Sequence, residues 1–186
     1  HKKSLEIKES FIKYAQKTKE YLEDIKPVIK EKQEFFRKLA KRFYPNNASG
    51  ITVYPNEGEN QQRYTIEAKI ESDNSDGINN VKIFCYDMTM LFKGHGHNVK
   101  FSFHDSRLFD GIDEKHKAEI FKVVSELFSN ADYQYIATVN QNQLNEIKSI
   151  LTEQEYEEII EKNTILTLTD EDDSEKLLGI KVDVGY

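Results

Sequence analysis

Residues 99–113, reading VKFSFHDSRLFDGID, carry three carboxylates, Asp105, Asp110 and Asp113, in one short stretch. Val99, Phe101 and Phe103 alternate with polar residues and share one face of a strand. That strand runs straight into Asp105. In an open α/β sheet, ligands bind beyond the carboxyl ends of the strands, and a carboxylate there is a hard oxygen ligand suited to Mg²⁺. The plainer role is local, with Asp105 capping a turn and Asp113 capping the next helix. A second candidate is Ser75-Asp76-Gly77, which ends a polar turn in front of an apolar helix. Free N–H groups and the positive end of the helix dipole suit a phosphate there. A third is the set His95, His97 and His104, which together with Asp105 and Asp110 has the side-chain types of a hydrolytic metal centre.

The elements that must hold these residues follow from periodicity. Residues 1–44 read as a helical arm: between Lys3 and Tyr44 there is no glycine. Phe11, Ala15, Leu22, Ile25, Ile29, Phe36, Leu39 and Phe43 step by threes and fours, with Thr18 and Lys32 as polar interruptions. Pro27 predicts a kink or break near Lys26. The arm is either two amphipathic helices packed on their own domain or the returning end of a coiled coil whose partner helix lies elsewhere.

Residues 45–186 read as an α/β domain. Ile51 to Tyr54 and Arg63 to Ile70 suggest an antiparallel hairpin around a turn at 55–60. A helix from about Ile78 to Phe92 is apolar nearly all round and belongs in a core. The strand ending at Asp105, a helix from 114 to about 128 and a strand from Tyr133 to Val139 make a βαβ unit, hence a parallel pair. Asn140-Gln141-Asn142-Gln143 lies at the carboxyl end of its second strand. Thr152-x-x-Glu155 reads as a capping box opening a helix. Thr164–Thr169 and Leu177–Val184 read as two closing strands. Lys100, Ser102 and His104 make the second face of the central strand polar, so that face is expected to be incompletely covered.

Composition narrows the function classes. Of 186 residues, 38% are hydrophobic and 32% charged, and the net charge of −7 argues against a dedicated nucleic-acid surface. Eleven Phe and ten Tyr supply bulk for a core. The one cysteine, Cys85, sits among apolar helix residues as core and fits a reducing, cytoplasmic setting. No apolar run reaches membrane-spanning length. The chain begins with His1, as after cleavage of a tag or as part of a longer protein, and the helix at its start favours the second reading.

The phrases GINNVKIFCYDMTML, FHDSRLFDGID and YQYIATVNQNQL, in this order, resemble the C-terminal lobe of ABC-type ATPase heads of the SMC and RecN kind. In particular they are similar to the C-terminal domain of a bacterial group of SMC-like coiled-coil ATPases of long unassigned function. The resemblance covers essentially the whole chain. It implies an α/β lobe of a P-loop ATPase head, at residues 45–186, carrying the end of a coiled coil at residues 1–44. Ser75-Asp76-Gly77 would be the signature turn that faces the nucleotide of a second head. Asp105 would be the Walker B aspartate holding Mg²⁺, and Asp110-Gly111-Ile112-Asp113 the D-loop. Ser106 stands where the family pattern has the glutamate that activates water, and Asn140 where it has the switch histidine. The stretch from Asp105 to Asp113 is one residue longer than the usual spacing. No G-x-x-x-x-G-K-[ST] sequence occurs in the chain.

The implied partners are an N-terminal Walker A lobe of the same protein and a second, identical head, with ATP and Mg²⁺ held only when that lobe is present. ATP hydrolysis is then expected of the intact protein and not of this piece. DNA, in repair, maintenance or defence, is reached only through the intact protein, and no membrane is involved. Two other readings stand beside it. One is a metal-dependent hydrolase using His95, His97, His104 and Asp105, although His104 and Asp105 point to opposite faces of a strand. The other is a dimerisation or docking module without chemistry.

Overall fold

The computed structural model describes residues 2–56, 63–169, 171–177 and 179. The chain forms two compact units, His1–Ile150 and Leu151–Tyr186. In the first, the arm is a pair of helices, α1 (Lys2–Asp24) and α2 (Lys26–Phe43). The break expected near Lys26 falls at Ile25. Pro27 opens α2, where its missing N–H leaves no hydrogen bond unmade.

The apolar stripe of the arm changes character along its length. Phe36, Leu39 and Phe43 are buried, whereas Phe11 is 70% exposed. Thr18, a polar interruption of the stripe, is itself buried, and its hydroxyl donates to the Tyr14 carbonyl at 2.8 Å. That part of α1 lies against a hairpin of β1 (Ser49–Pro55) and β2 (Tyr64–Ile70): the Tyr21 and Tyr64 rings are 6.0 Å apart, and the Arg63 guanidinium lies over the Tyr14 ring. The hairpin is antiparallel as expected, with Ile51 opposite Ala68. Most of its expected turn, at 57–60, lies outside the described residues.

Helix α3 (Asp76–Lys93) is the centre of the first unit. Val81, Phe84, Cys85, Met88 and Leu91 are buried on it, and Ile83 stays on its outer side. Burial pushes the Cys85 thiol well above its ordinary pKa, the mark of an inert core residue. Phe84 meets Phe43 of α2 edge-on at 6.0 Å, and Phe92 meets Phe128 of α4 (Glu114–Phe128) at 5.1 Å. Arg42 fastens α2 to α4 from outside, reaching Glu119 at 2.6 Å and Glu126 at 2.7 Å.

The strand before Asp105 is short: β3 (Phe101–His104) pairs in parallel with β4 (Gln134–Ala137), Phe103 opposite Ile136. The two pairs form separate two-stranded sheets among the described residues. The open face of β3 is the reverse of the expected one. Phe101 and Phe103 are 53% and 52% exposed, while His104, on the polar face, is only 6% exposed. Hydrogen bonding explains the inversion, because a buried polar ring is tolerated when its nitrogens are satisfied. The His104 ring bonds the Tyr135 hydroxyl at 2.9 Å through Nδ1 and Asp87 of α3 at 3.0 Å through Nε2. In a neutral ring, Asp87 accepting from Nε2–H leaves Nδ1 to accept from the Tyr135 hydroxyl.

After β4 comes a helix that periodicity did not single out, α5 (Gln141–Ile150), with Gln143 and Ile147 buried. The second unit opens with α6 (Glu153–Ile159), and its Thr152–Glu155 capping box is formed in both directions. The strand expected at Thr164–Thr169 is not formed. The segment pairs with no strand among the described residues, and Ile165 is 93% exposed. Alternation gives a segment strand character, but a strand needs a neighbour to bond. Of the strand expected at Leu177–Val184, all but Leu177 and Gly179 lie outside the described residues. Among the described residues, no helix is long and apolar enough to cross a membrane.

Candidate functional site

Two glycines decide how the candidate segments meet. Gly77, in the first turn of α3, is buried, and a Cβ built on it lies 2.3 Å from the carbonyl oxygen of Gly111. Only a residue without a side chain lets the two backbones approach so closely. Gly111 has φ +71°, the left-handed region that favours glycine. Asn80, one turn into α3, locks the contact by donating to the Asp110 carbonyl at 2.8 Å. The Ser75-Asp76-Gly77 turn and the Asp110–Asp113 loop are therefore one surface. Ser75 is the N-cap of α3 in an extended conformation and makes no side-chain cap bond. Ser75 and Asp76 are both exposed.

On the other side of the loop, β3 hands the chain to Asp105. Its Oδ1 accepts from the Arg107 N–H at 2.8 Å, capping the short 3-10 turn Ser106–Phe109. This is the plain turn-capping role, and it leaves the exposed carboxylate at the carboxyl end of β3. Ser106 donates its N–H to Thr138 Oγ1 at 3.1 Å, which ties the turn to the end of β4. Asn140, exposed, precedes α5 and its N–H donates to Gln143 Oε1 at 3.0 Å. The Gln143 amide then reaches the Ser106 carbonyl and Asp110 Oδ1, both at 3.1 Å. Asp110 is thus the junction, its carbonyl held from α3 and its carboxylate from α5.

Asp113 is committed to α4. Its Oδ1 accepts from the N–H groups of Lys115 and His116 at 3.0 Å, and its Oδ2 meets His116 Nδ1 at 2.5 Å. Partial burial alone raises the Asp113 pKa. The His116 N–H, the charge and hydrogen bond of its ring and the Lys115 N–H outweigh burial and hold the carboxyl below its usual range. The other nitrogen of His116 faces the Phe43 carbonyl at 2.9 Å, so the C-terminus of the arm helix is joined to the cap of α4.

Asp105 offers a single carboxylate. Mg²⁺ commonly takes one or two carboxylates and completes its shell with water and phosphate oxygens. Asp105 therefore fits Mg²⁺ when phosphates and further ligands come from elsewhere. The hydrolase set is not assembled. Among the described residues, no three His, Cys, Asp or Glu side chains could together hold a metal ion. His97 donates to the Met90 carbonyl at 3.1 Å, His95 lies 4.0 Å from Glu31, and His104 turns into the core away from Asp105.

Asn80, Thr138, Gln143 and His116 organise the loop and were not foreseen. Only Gln143 left a sequence signal: a Gln three residues after an Asn is the spacing of a helix cap.

The model of a family described as "uncharacterised protein conserved in bacteria (DUF2326)" matches residues 39–182. The chain belongs to that family. No curated protein matches it. Two solved structures are similar at 12% identity. One is described as the crystal structure of the SmcHead bound to the C-winged helix domain of ScpA. Its TM-score is 0.46, with 63% of this chain and 37% of that chain covered. The other is described as structural biochemistry of ATP-driven dimerization and DNA stimulated activation of SMC ATPases. Its TM-score is 0.44, with 69% of this chain and 77% of that chain covered. This DUF2326 chain thus spans 37% of the length of the first.

Two substitutions test the loop geometry. Gly77→Ala puts a methyl group into the Gly111 backbone and lowers unfolding stability by about 1–3 kcal/mol in urea titration. Gly50→Ala, where a Cβ meets nothing within 4 Å, serves as the near-neutral control. Asp113→Asn keeps a cap but loses the charge, at a cost of about 0.3–1 kcal/mol at neutral pH, reduced by solvent exposure. Because the folded pKa of Asp113 is depressed, that advantage of the wild type is present above about pH 4. It vanishes as the pH falls through the folded value.

Proposed function

We propose that this DUF2326 chain is the C-terminal part of an SMC-like ATPase head, supplying half of each of two nucleotide sites. Asp105 holds Mg²⁺ at the site completed by an N-terminal Walker A lobe of the same protein. The Ser75–Gly77 turn and the Asp110–Asp113 loop face the nucleotide bound by a second head. The carrying observation is the fusion of that turn and that loop into one surface through Gly77 and Gly111, with Asp105 at the other end of the same loop. The uncovered apolar face of β3 and β4, with Phe101, Phe103 and Ile136, suits the missing lobe as its cover. The exposed start of α1 suits a coiled-coil partner in the same way.

The residues also set the rate. Ser106 stands beside Asp105 where a general base is needed, and a neutral hydroxyl cannot take a proton from water at neutral pH. Asn140 can donate and accept hydrogen bonds but carries no proton charge. Hydrolysis is accordingly slow, and nucleotide binding is the better developed function of the site. Work on DNA, in repair, maintenance or defence, belongs to the intact protein.

Mg-ATP binding and turnover measured on the intact protein, its Asp105→Ala variant and the isolated chain test this reading. Turnover is expected in the intact protein, falling roughly 100-fold or more in Asp105→Ala, with none in the isolated chain. Hydrolysis by the isolated chain, or an intact protein indifferent to Asp105→Ala, contradicts it.

A further inference from the structure

Gln143 makes three hydrogen bonds from a side chain that is almost fully buried. Its Oε1 accepts from the Asn140 N–H, and its Nε2 donates to the Ser106 carbonyl and to Asp110 Oδ1. The amide has one orientation that satisfies all three, because the partners are one donor and two acceptors. The first bond is half of a capping box, in which the third helical residue reaches back to the N-cap N–H, and a glutamate would serve there equally. The other two need an N–H₂ group, which glutamate lacks. They also join three parts of the site through one side chain: the start of the 3-10 turn after Asp105, the Asp110 carboxylate and the turn carrying Asn140, adding to the Ser106–Thr138 bond that ties the first of these to the end of β4.

We propose that Gln143 is a positioning residue, whose carboxamide fixes the Asp105–Asp113 loop against the Asn140 turn. Its bearing on nucleotide chemistry rests on the function proposed above, whereas the clamp itself rests on geometry alone. Removing the two donated bonds frees the Ser106 carbonyl and the Asp110 carboxylate, while Thr138 still holds the Ser106 N–H and Asn80 the Asp110 carbonyl. The Asp105 carboxylate is then less well placed, although Gln143 never touches it.

A glutamate in place of Gln143 separates capping from positioning. Gln143→Glu keeps the bond to the Asn140 N–H but sets a second carboxylate against Asp110. Gln143→Leu loses all three bonds. Charged groups on the elements around the pair include Asp76 of α3, Asp105, Arg107 and Asp113 of the loop, His116 and Lys117 of α4, and Glu146 of α5, which pairs with Lys117. Two carboxyls in contact share a proton at moderately acidic pH, and the protonated one can donate to the other.

Hydrogen–deuterium exchange of residues 106–113, corrected for intrinsic rates, is measured in the intact protein and both variants, with ATP turnover in parallel. At about pH 7.5 both variants exchange this loop roughly tenfold or more faster than wild type. Near pH 5, Gln143→Glu regains part of the lost protection, its single O–H replacing one of the two donated bonds, and Gln143→Leu regains none. Wild-type exchange in Gln143→Glu at both pH values reduces Gln143 to a helix cap and overturns the proposal. Equal loss in both variants at both pH values, the signature of packing alone, also overturns it. The expected exchange pattern in a protein without ATP turnover upholds the clamp and removes only the nucleotide reading.

Discussion

The contact of Gly77 with Gly111 is the constraint on which the rest of the candidate site depends. Helix α3 is buried along most of its length against α2 and its aromatic neighbours, so its N-terminus has one place to be. The Gly111 loop is laid directly on that terminus. From there the hydrogen bonds spread outward: Asn80 to the Asp110 carbonyl, Gln143 to the Asp110 carboxylate and Ser106 carbonyl, and Thr138 to the Ser106 N–H. A rigid core helix thereby sets the position of an exposed acidic loop. This is the arrangement needed when loop residues must meet a ligand whose remaining contacts come from another chain or lobe.

The parallel pair β3 and β4 shows the complementary side of the same design. Its inner face is closed by the Tyr135–His104–Asp87 chain of hydrogen bonds and by Phe84. Its outer face is apolar and, among the described residues, half-exposed at Phe101 and Phe103. Parallel strands are normally covered on both faces. In the proposed assembly this apolar face, half-exposed among the described residues at the strand that delivers Asp105, is covered by the lobe bearing the phosphate-binding loop.

Much of this was legible in the sequence where local rules act. The hairpin, the break next to Pro27, the buried helix, the parallel pair and the Thr152–Glu155 box all follow from periodicity, proline and capping chemistry. The same rules failed where a residue's surroundings come from distant parts of the chain. Phe101 and Phe103 read as the inner face because they are apolar, but His104 won that side by finding Tyr135 and Asp87. Thr18 read as a fault in a stripe, and became a buried residue on the face turned to the hairpin. Helix α5 was hidden by its own start, Gln141-Asn142-Gln143, whose polarity serves capping and the loop. Thr164–Thr169 alternates as a strand should, yet finds no partner among the described residues.

For the candidate site, residue types pointed to Asp105, Asp110, Asp113 and the Ser75–Gly77 turn, while of the glue between them Asn80 and Thr138 carry no motif and Gln143 only the spacing of a helix cap. The central claim is that these residues form half of a shared nucleotide site. A structure of the intact protein with Mg²⁺ and a non-hydrolysable ATP analogue tests it most directly. The account predicts Asp105 in the first or second shell of Mg²⁺, the Ser75–Gly77 turn facing the phosphates bound by the other head, and Phe101 and Phe103 covered by the added lobe. Nucleotide bound away from Asp105, with that apolar face still open to solvent, would contradict it.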